Sequence, residues 1–564
     1  MPNAPSPSDV RRQVLSRLYG DRAASIDEEV RRIIGQTTQP RPAMPWDERT
    51  AWVITYPSQF RSTNETPLET LRHVVREYLR PDVTGVHVLP FHPSSSDGGF
   101  SITAFDAVDP AHGTWDDIRE LASTTDVMAD AVVNHASAQG EWFRRYLAGD
   151  PEYRGFFREV EPDADLKAVV RPRTSPIPTT FERHDGTSTT VWATFSADQI
   201  DLDYRNPSVL LRATEVILSY VEAGASAIRL DAVAFLWKQE GTTSIHMPET
   251  HDIIRFFRAC LDEIDPEIAL ITETNVPHDE NISYLAPAPI REAQAVYQFP
   301  LPPLVLHSFV AGSALALREW ARRLTFERAD TTFLNFLASH DGVGVRPVEG
   351  LLRADERERL VETCRSAGGV VNTRLLADGT EVPYELTGTW FSFMATGHGE
   401  DEALARHLAS HAIPLALRGV PLLYVHSLVA SQNDAERYRA TDLGRDLNRA
   451  TFDMATVRQA LADPSMRPSR SWAALRAMLR WRSASAAFRP DAEQVVLDAP
   501  DEIFAIRRTG PGGHEAIVAV NVSDHAATLD LAGGDWVRAD DGRNVAEQLA
   551  LPRWSYAWLR RADP

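Results

Sequence analysis

Three acidic residues, Asp231, Glu273 and Asp341, each close a short apolar run: Ser226 to Leu230, Ile268 to Thr272, and Phe333 to Ala338. A pair of carboxylates brought to one rim suits glycosyl transfer. One attacks an anomeric carbon, and the other, its pKa raised by burial and by its neighbour, donates a proton to the leaving group. A third carboxylate can stabilise the cationic transition state and hold sugar hydroxyls. A metal site is the competing reading of an acid cluster, and a structural salt bridge the plain reading of any one acid. Arg229 lies two residues before Asp231 and so points to the same face of its strand, where a cation would keep Asp231 ionised and aim it. Asp130-x-x-x-Asn134-His135 closes a further apolar run, and His340 precedes Asp341. Two histidines at strand ends beside acids suit donation to sugar hydroxyls. Of the tryptophans on loop-like stretches, Trp115, Trp142, Trp192, Trp237 and Trp390, one or two are placed to stack on a sugar face.

Such residues converge only if the apolar runs are parallel strands of one barrel, whose carboxyl ends carry the chemistry. The unit around Asp231 has that form: Asn206 as N-cap, Pro207 in the first helical turn, Gly224 as C-cap, then a short apolar strand. The other strand candidates are Trp52 to Tyr56, Gly85 to Phe91, Val127 to Asn134, Ala295 to Phe299 and Val420 to Val425, with helices over Pro67 to Tyr78 and Gly113 to Ser123. The expected architecture is therefore an α/β fold, a (β/α)8 TIM barrel over about 49–490. It carries two inserted excursion domains, near 138–203 and 342–392, too long for ordinary connections. Within the second, Ser366 to Gly369 is a candidate lid. Met1 to Ser8 reads as disordered, and the rest of 1–48 as a helical extension, with Val14, Leu15, Leu18 and Tyr19 on one face and Ile26, Val30, Ile33 and Ile34 on another. Helices at Ala455 to Ala462 and Ser471 to Arg482 close the barrel. From 491 to 564 the period becomes two, over Glu502 to Arg507, Glu515 to Asn521 and Ala526 to Leu531, which indicates a C-terminal antiparallel β domain.

Composition bounds the partners. The chain has 564 residues, 43% of them hydrophobic and 24% charged, as in a globular protein. A net charge of −21 argues against nucleic acid and anionic membrane surfaces. Two cysteines, Cys260 and Cys364, make no disulfide framework and stand in no metal-ligand spacing. With no signal-like start and no apolar run of membrane length, the expected location is the cytoplasm. An oligomer is left open.

Four segments, ADAVVNH (129–135), AIRLDAVAF (227–235), ITETN (271–275) and ASHDGVGV (338–345), carry a resemblance to the α-amylase superfamily and, within it, to the sucrose phosphorylase-like branch. SSDGGFSITAFDAVDPAHGTWDDI and LGRDLNR extend it over most of Trp52 to Phe488. The resemblance implies a retaining double displacement, with Asp231 as nucleophile, Glu273 as acid/base and Asp341 as transition-state stabiliser. It also implies that Asp97, His135, Arg229, His340 and Arg445 hold the glucosyl unit, with Phe235 in the substrate site. Phosphate is the implied co-substrate, with no cofactor and no metal. A phosphorylase needs a cation near the anomeric centre and a closed pocket, for which Arg445 and the insertion at Gly342 to Ser392 are the candidates. The chain departs from sucrose phosphorylases in its N-terminal extension, in TNVPHDENISYL (274–285), and in Tyr384-Glu385-Leu386, where those enzymes carry a Gln. The ETNVPH-x-ENISY pattern is similar to the glucosylglycerate phosphorylases of the branch. The alternatives are a sucrose or sucrose 6'-phosphate phosphorylase, an α-glucoside hydrolase and, last, a non-catalytic amylase-like binding protein. An acceptor carrying a carboxylate needs cations or donors, and Lys238, Asn275 and His278 are the residues expected to meet it.

Overall fold

The computed structural model describes residues 5–40, 42–326, 328–376, 378–531 and 533–561. Eight strands close into one all-parallel barrel: β1 (Trp52–Thr55), β2 (Gly85–Val88), β3 (Asp126–Ala131), β4 (Ala227–Leu230), β5 (Ala269–Thr272), β6 (Ala295–Tyr297), β7 (Thr332–Asn335) and β8 (Val420–Tyr424). Each neighbours the next in chain order, and β8 pairs with β1. With helices outside and packed side chains inside, the strands are buried on both faces, which is why they read as unbroken apolar runs rather than alternating ones. Several end earlier than the apolar runs suggest. Val132 and Val133 after β3, and Phe336 and Leu337 after β7, stay buried but leave the ladder, because there the chain turns from pairing to building the rim.

The helix before β4 spans Pro207–Glu222, and the Asn206 side chain accepts from Ser208 N–H at 3.0 Å. The excursion after β3 holds a helix, Glu141–Leu147, and a hairpin, Pro178–Glu182 with Ser188–Trp192. It is tied back by Gln199–Asp201 pairing antiparallel with His135–Ser137. After β7 comes a three-stranded sheet of Val343–Gly344, Glu381–Thr387 and Val370–Leu375, with a helix at Ala354–Ser366. The Ser366 to Gly369 stretch, the candidate lid, runs directly on from the helix. It is the turn from that helix into the sheet, held by Asn433 Nδ2 donating to Ala367 O at 3.0 Å. A helix at Glu400–Ala416 precedes β8 and was not expected; it is buried nearly all round, so no polar face marks its period.

Two N-terminal helices, α1 (Pro7–Tyr19) and α2 (Ala23–Gln36), lie against the helix Pro248–Ile264 that follows β4. Buried Arg11 pairs with Asp27 at 2.7 Å and with Glu263, and Arg17 holds Asp252 through two bonds of 2.8 and 2.6 Å. The disorder expected over Met1 to Ser8 is wrong for its second half. Ser6 caps α1 and Pro7 suits its first turn, while residues 1–4 lie outside the described ones. At the carboxyl end, six strands form a sheet, with a separate pair, Ala527–Asp530 and Gln548–Leu551. Alternation there splits the faces: Phe504 and Ile506 join the core of the barrel, and Ile503 and Ala505 a second core of their own. Among the described residues no helix is long and apolar enough to cross a membrane.

Candidate active site

Arg229 stands at the centre of the carboxyl-end rim. It is the register partner of Asp130 on β3, so both side chains enter the barrel together. Its guanidinium pairs with Asp130, lies 2.9 Å from Asp231 Oδ1 and 3.8 Å from Glu273 Oε2, and sits over the rings of Phe100 and Tyr297. Below it, His87 Nε2 lies 2.7 Å from Asp130, and Tyr297 Oη 3.1 Å from His87 Nδ1. Arg229 and His87 hold the Asp130 carboxyl, despite burial, down at about 2. That network fixes the cation, and the cation orients both strand-end acids.

The peptide after Asp231 is strained. Ala232 has φ +49°, a left-handed conformation that costs a non-glycine residue roughly 1–2 kcal/mol. In return its N–H donates to Glu273 Oε2 at 3.2 Å. The three carboxylates are electrostatically unequal. Burial raises Glu273, and the nearby Asp341 charge adds to this against the pull of Arg229. Burial raises Asp231 well above the usual carboxylate range, with Arg229 pulling against it from 2.9 Å, whereas the same guanidinium lies 3.8 Å from Glu273. Asp341 resists burial because Arg445, Arg449 and Arg229 hold its carboxyl below the usual range. Two neighbouring carboxylates unequally placed about one cation can divide the work of an acid and a nucleophile.

Around them, Arg445 bridges three acids: Asp97 at 3.1 Å, Asp341 at 3.0 Å and Glu385 at 3.3 Å. Asp97 is seated next to Gly98 (φ +59°), where any Cβ would run into Arg449 and the Tyr56 hydroxyl. Asn448 and Arg449 pin the Ser339 to Asp341 turn through its carbonyls. His340 stacks on Phe100 at 4.9 Å, and burial among Arg229 and Arg449 keeps it neutral. His135 is neutral for the same reason of burial, with Nε2 3.0 Å from Phe100 O and 3.2 Å from Gln199. Phe100, Phe195, Phe235 and Tyr384 supply apolar wall. The cavity they enclose is small, about 80 Å³, and two further cations line it, Arg173 from the first excursion and Arg346 after β7. Arg173 lies over the Tyr384 ring, 5.7 Å from its centre, so the two inserted parts meet above the acids. Asn275 Oδ1 is buried with no hydrogen-bond partner among the described residues, against Gly344, where a Cβ would collide with it.

A family model described as the α-amylase catalytic domain matches residues 54–354, more than half of the chain. The chain belongs to the α-amylase family. Within that family it is 43% identical to the glucosylglycerate phosphorylase of Allomeiothermus silvanus over 94% of this chain and 96% of that one. It is 31% identical to the sucrose phosphorylase of Agrobacterium vitis over 80% and 91%. The crystal structure of sucrose 6F-phosphate phosphorylase from Thermoanaerobacter thermosaccharolyticum superposes with a TM-score of 0.75 at 24% identity, covering 90% of this chain and 99% of that one, and shares the fold. The protein is an enzyme of the α-amylase family, and its relatives are glycoside phosphorylases.

Of the residues singled out in the sequence, this α-amylase-family rim brings together Asp231, Glu273, Asp341, Asp97, His135, His340, Arg445, Phe235 and Asn275 as pocket lining, with Arg229 directly behind the acids. Two are not there. Lys238 is 4% exposed and turned away: its ammonium lies 3.1 Å from Asp201 and donates to Asn134 Oδ1 at 2.9 Å. His278 begins a short helix and packs against Trp320 and Phe333. None of the five tryptophans lines the pocket; Trp142 stacks on Phe105, and Trp192 and Trp390 are buried elsewhere. The sequence reading missed Arg173, Arg346, Gln199 and Phe195. Only Arg346 carried a signal, standing five residues past Asp341. Among the described residues no group of three or more His, Cys, Asp or Glu side chains has the arrangement to hold a metal ion.

Proposed function

We propose that the protein is a retaining glycoside phosphorylase that moves an α-glucosyl unit from glucosylglycerate to inorganic phosphate, releasing glucose 1-phosphate and glycerate. Asp231 attacks the anomeric carbon while Glu273 gives its proton to the glycosidic oxygen; that bond breaks and glycerate leaves. Asp341, held ionised by Arg445, stabilises the positive charge developing on the sugar ring. A phosphate oxygen then attacks the same carbon, the ester to Asp231 breaks, and Glu273 recovers a proton from phosphate. Two inversions restore the α configuration. Asp97, His135, His340 and Arg445 hold the glucosyl hydroxyls, and Phe235 is apolar wall. Phosphate is the co-substrate, and no step draws on a cofactor or a metal. A reaction that consumes phosphate and releases a sugar phosphate suits the cytoplasm, where both are retained.

One observation carries the phosphorylase reading: an acid-crowded pocket lined as well by Arg173 and Arg346. Glycerate and phosphate are both anions, and each must approach five carboxylates, Asp97, Asp231, Glu273, Asp341 and Glu385. Phosphate needs such cations whichever acceptor leaves, neutral water needs none, and glycerate as the leaving acceptor is supported by the 43% identity to a glucosylglycerate phosphorylase. Tyr384 and Asn275 complete the acceptor side. The test is synthesis from glucose 1-phosphate with glycerate, glycerol, fructose or fructose 6-phosphate offered separately. Glycerate should give the highest kcat/KM. A preference for fructose or its phosphate overturns the acceptor, and release of glucose alone overturns the phosphorylase.

A further inference from the structure

The pocket's cations are not equivalent. Arg445 is shared among three carboxylates, so its charge is spent within the protein. Among the described residues Arg346 has a single acidic partner, Glu280, whose Oε2 lies 3.3 Å from its Nη2. The Glu280 side chain is 42% exposed, so water screens it and the guanidinium keeps most of its field toward the pocket. Glu280 is itself held. His246 Nε2 lies 3.1 Å from the same oxygen, and His246 Nδ1 lies 2.7 Å from the hydroxyl of fully buried Tyr284. His246 sits at φ +55°, a conformation a non-glycine residue keeps only when its surroundings enforce it. The Tyr284 ring stacks on His251 at 4.6 Å, which in turn lies 2.8 Å from Glu292.

We infer that Arg346 is the residue that selects an anionic acceptor, and that Glu280, braced by His246 and Tyr284, positions it. The inference rests on the phosphorylase reading above and names the group behind its acceptor preference. Its physical content is preorganisation. A free arginine side chain gives up rotamer freedom when it is fixed on a ligand. Glu280 has already restricted that freedom in the unliganded protein, so less is lost when a carboxylate binds. The chain Arg346–Glu280–His246–Tyr284 links the segments that follow β7, β5 and β4. The acceptor cation is thereby referenced to the strands carrying Asp341, Glu273 and Asp231.

The experiment uses α-glucosyl fluoride as donor, which brings no phosphate charge, with glycerate or glycerol as acceptor. Loss of one charge-assisted contact should raise the half-saturating glycerate concentration of Arg346→Gln by roughly 10- to 100-fold. Glycerol, which brings no charge, should lose far less, so the ratio of kcat/KM for glycerate to that for glycerol should fall. Glu280→Gln, at a half-exposed site that tolerates the change, should move glycerate the same way by a smaller factor, and Arg346→Lys should recover part of the loss. Equal shifts for glycerate and glycerol, or no shift for glycerate, overturn the inference while leaving the phosphorylase reading standing. A wild-type enzyme that prefers glycerol to glycerate overturns that reading and this inference with it.

Discussion

Replacing Lys238 with Met should cost stability and leave acceptor choice alone. Lys238 and Asp201 are both buried, and the 3.1 Å pair between them is supplemented on the acid by Thr194, whose N–H and hydroxyl donate at 3.0 and 2.6 Å. Met has nearly the length and volume of the lysine stem, so no cavity is left and the effect is electrostatic. Removing one partner of a buried pair costs about 3–5 kcal/mol. The surviving Thr194 bonds place this site near the lower figure, about 3 kcal/mol. In a protein of this size the practical readout is the rate of thermal inactivation at fixed temperature. If the pair is already broken in the unfolding transition state, about 3 kcal/mol shortens the half-life by roughly 100-fold. Lys238→Met combined with Asp201→Asn, which removes both charges, should recover a large part of the loss. A structural role for Lys238 is contradicted if Lys238→Met inactivates no faster than wild type, or if it raises the KM for glycerate while sparing glycerol.

Asp231→Asn should fold and lose glucosyl transfer altogether, because an amide cannot form the ester intermediate; turnover by a folded variant would remove Asp231 from its role. Glu273→Gln should stall with glucosylglycerate yet form the glucosyl-enzyme from α-glucosyl fluoride, whose leaving group needs no proton, and equal loss on both donors would contradict the acid assignment. The pH profile of kcat/KM should be bell-shaped, with an alkaline limb above the ordinary glutamate range because burial raises Glu273, and Glu273→Gln should abolish that limb with the fluoride donor. A raised folded-state pKa means that Glu273 contributes its stability fully below the ordinary glutamate pKa and loses it as pH rises through the raised value. Thermal scans of wild type against Glu273→Gln should therefore diverge with rising pH, the Gln variant becoming the more stable; parallel curves would show the group unperturbed.

What the sequence made legible is what local chemistry determines. Short apolar runs bounded by Gly and Pro gave the strands, and a carboxylate just past a strand end must sit on the rim whatever the loops do. Beyond the first residue after a strand, direction depends on the turn. Ala232 goes left-handed, and seven residues past Asp231 the Lys238 side chain has swung behind the rim to Asp201, while His278 faces the outer packing of the barrel. Arg173 could not be placed from sequence: it sits in an aperiodic stretch, and it reaches the pocket only because His135–Ser137 pairs with Gln199–Asp201 and folds the excursion over the acids. The helix Glu400–Ala416 was missed because it is buried nearly all round, with His407, Ser410 and His411 buried among its apolar residues, so no amphipathic period shows.

The most direct test of the central claim offers the wild-type enzyme α-glucosylglycerate with and without inorganic phosphate, and follows the products by proton and phosphorus NMR. α-Glucose 1-phosphate should accumulate with an equal amount of glycerate when phosphate is present, and turnover should be slow without it. Free glucose formed at the same rate in both mixtures, or glucose 1-phosphate of the β configuration, would contradict the claim.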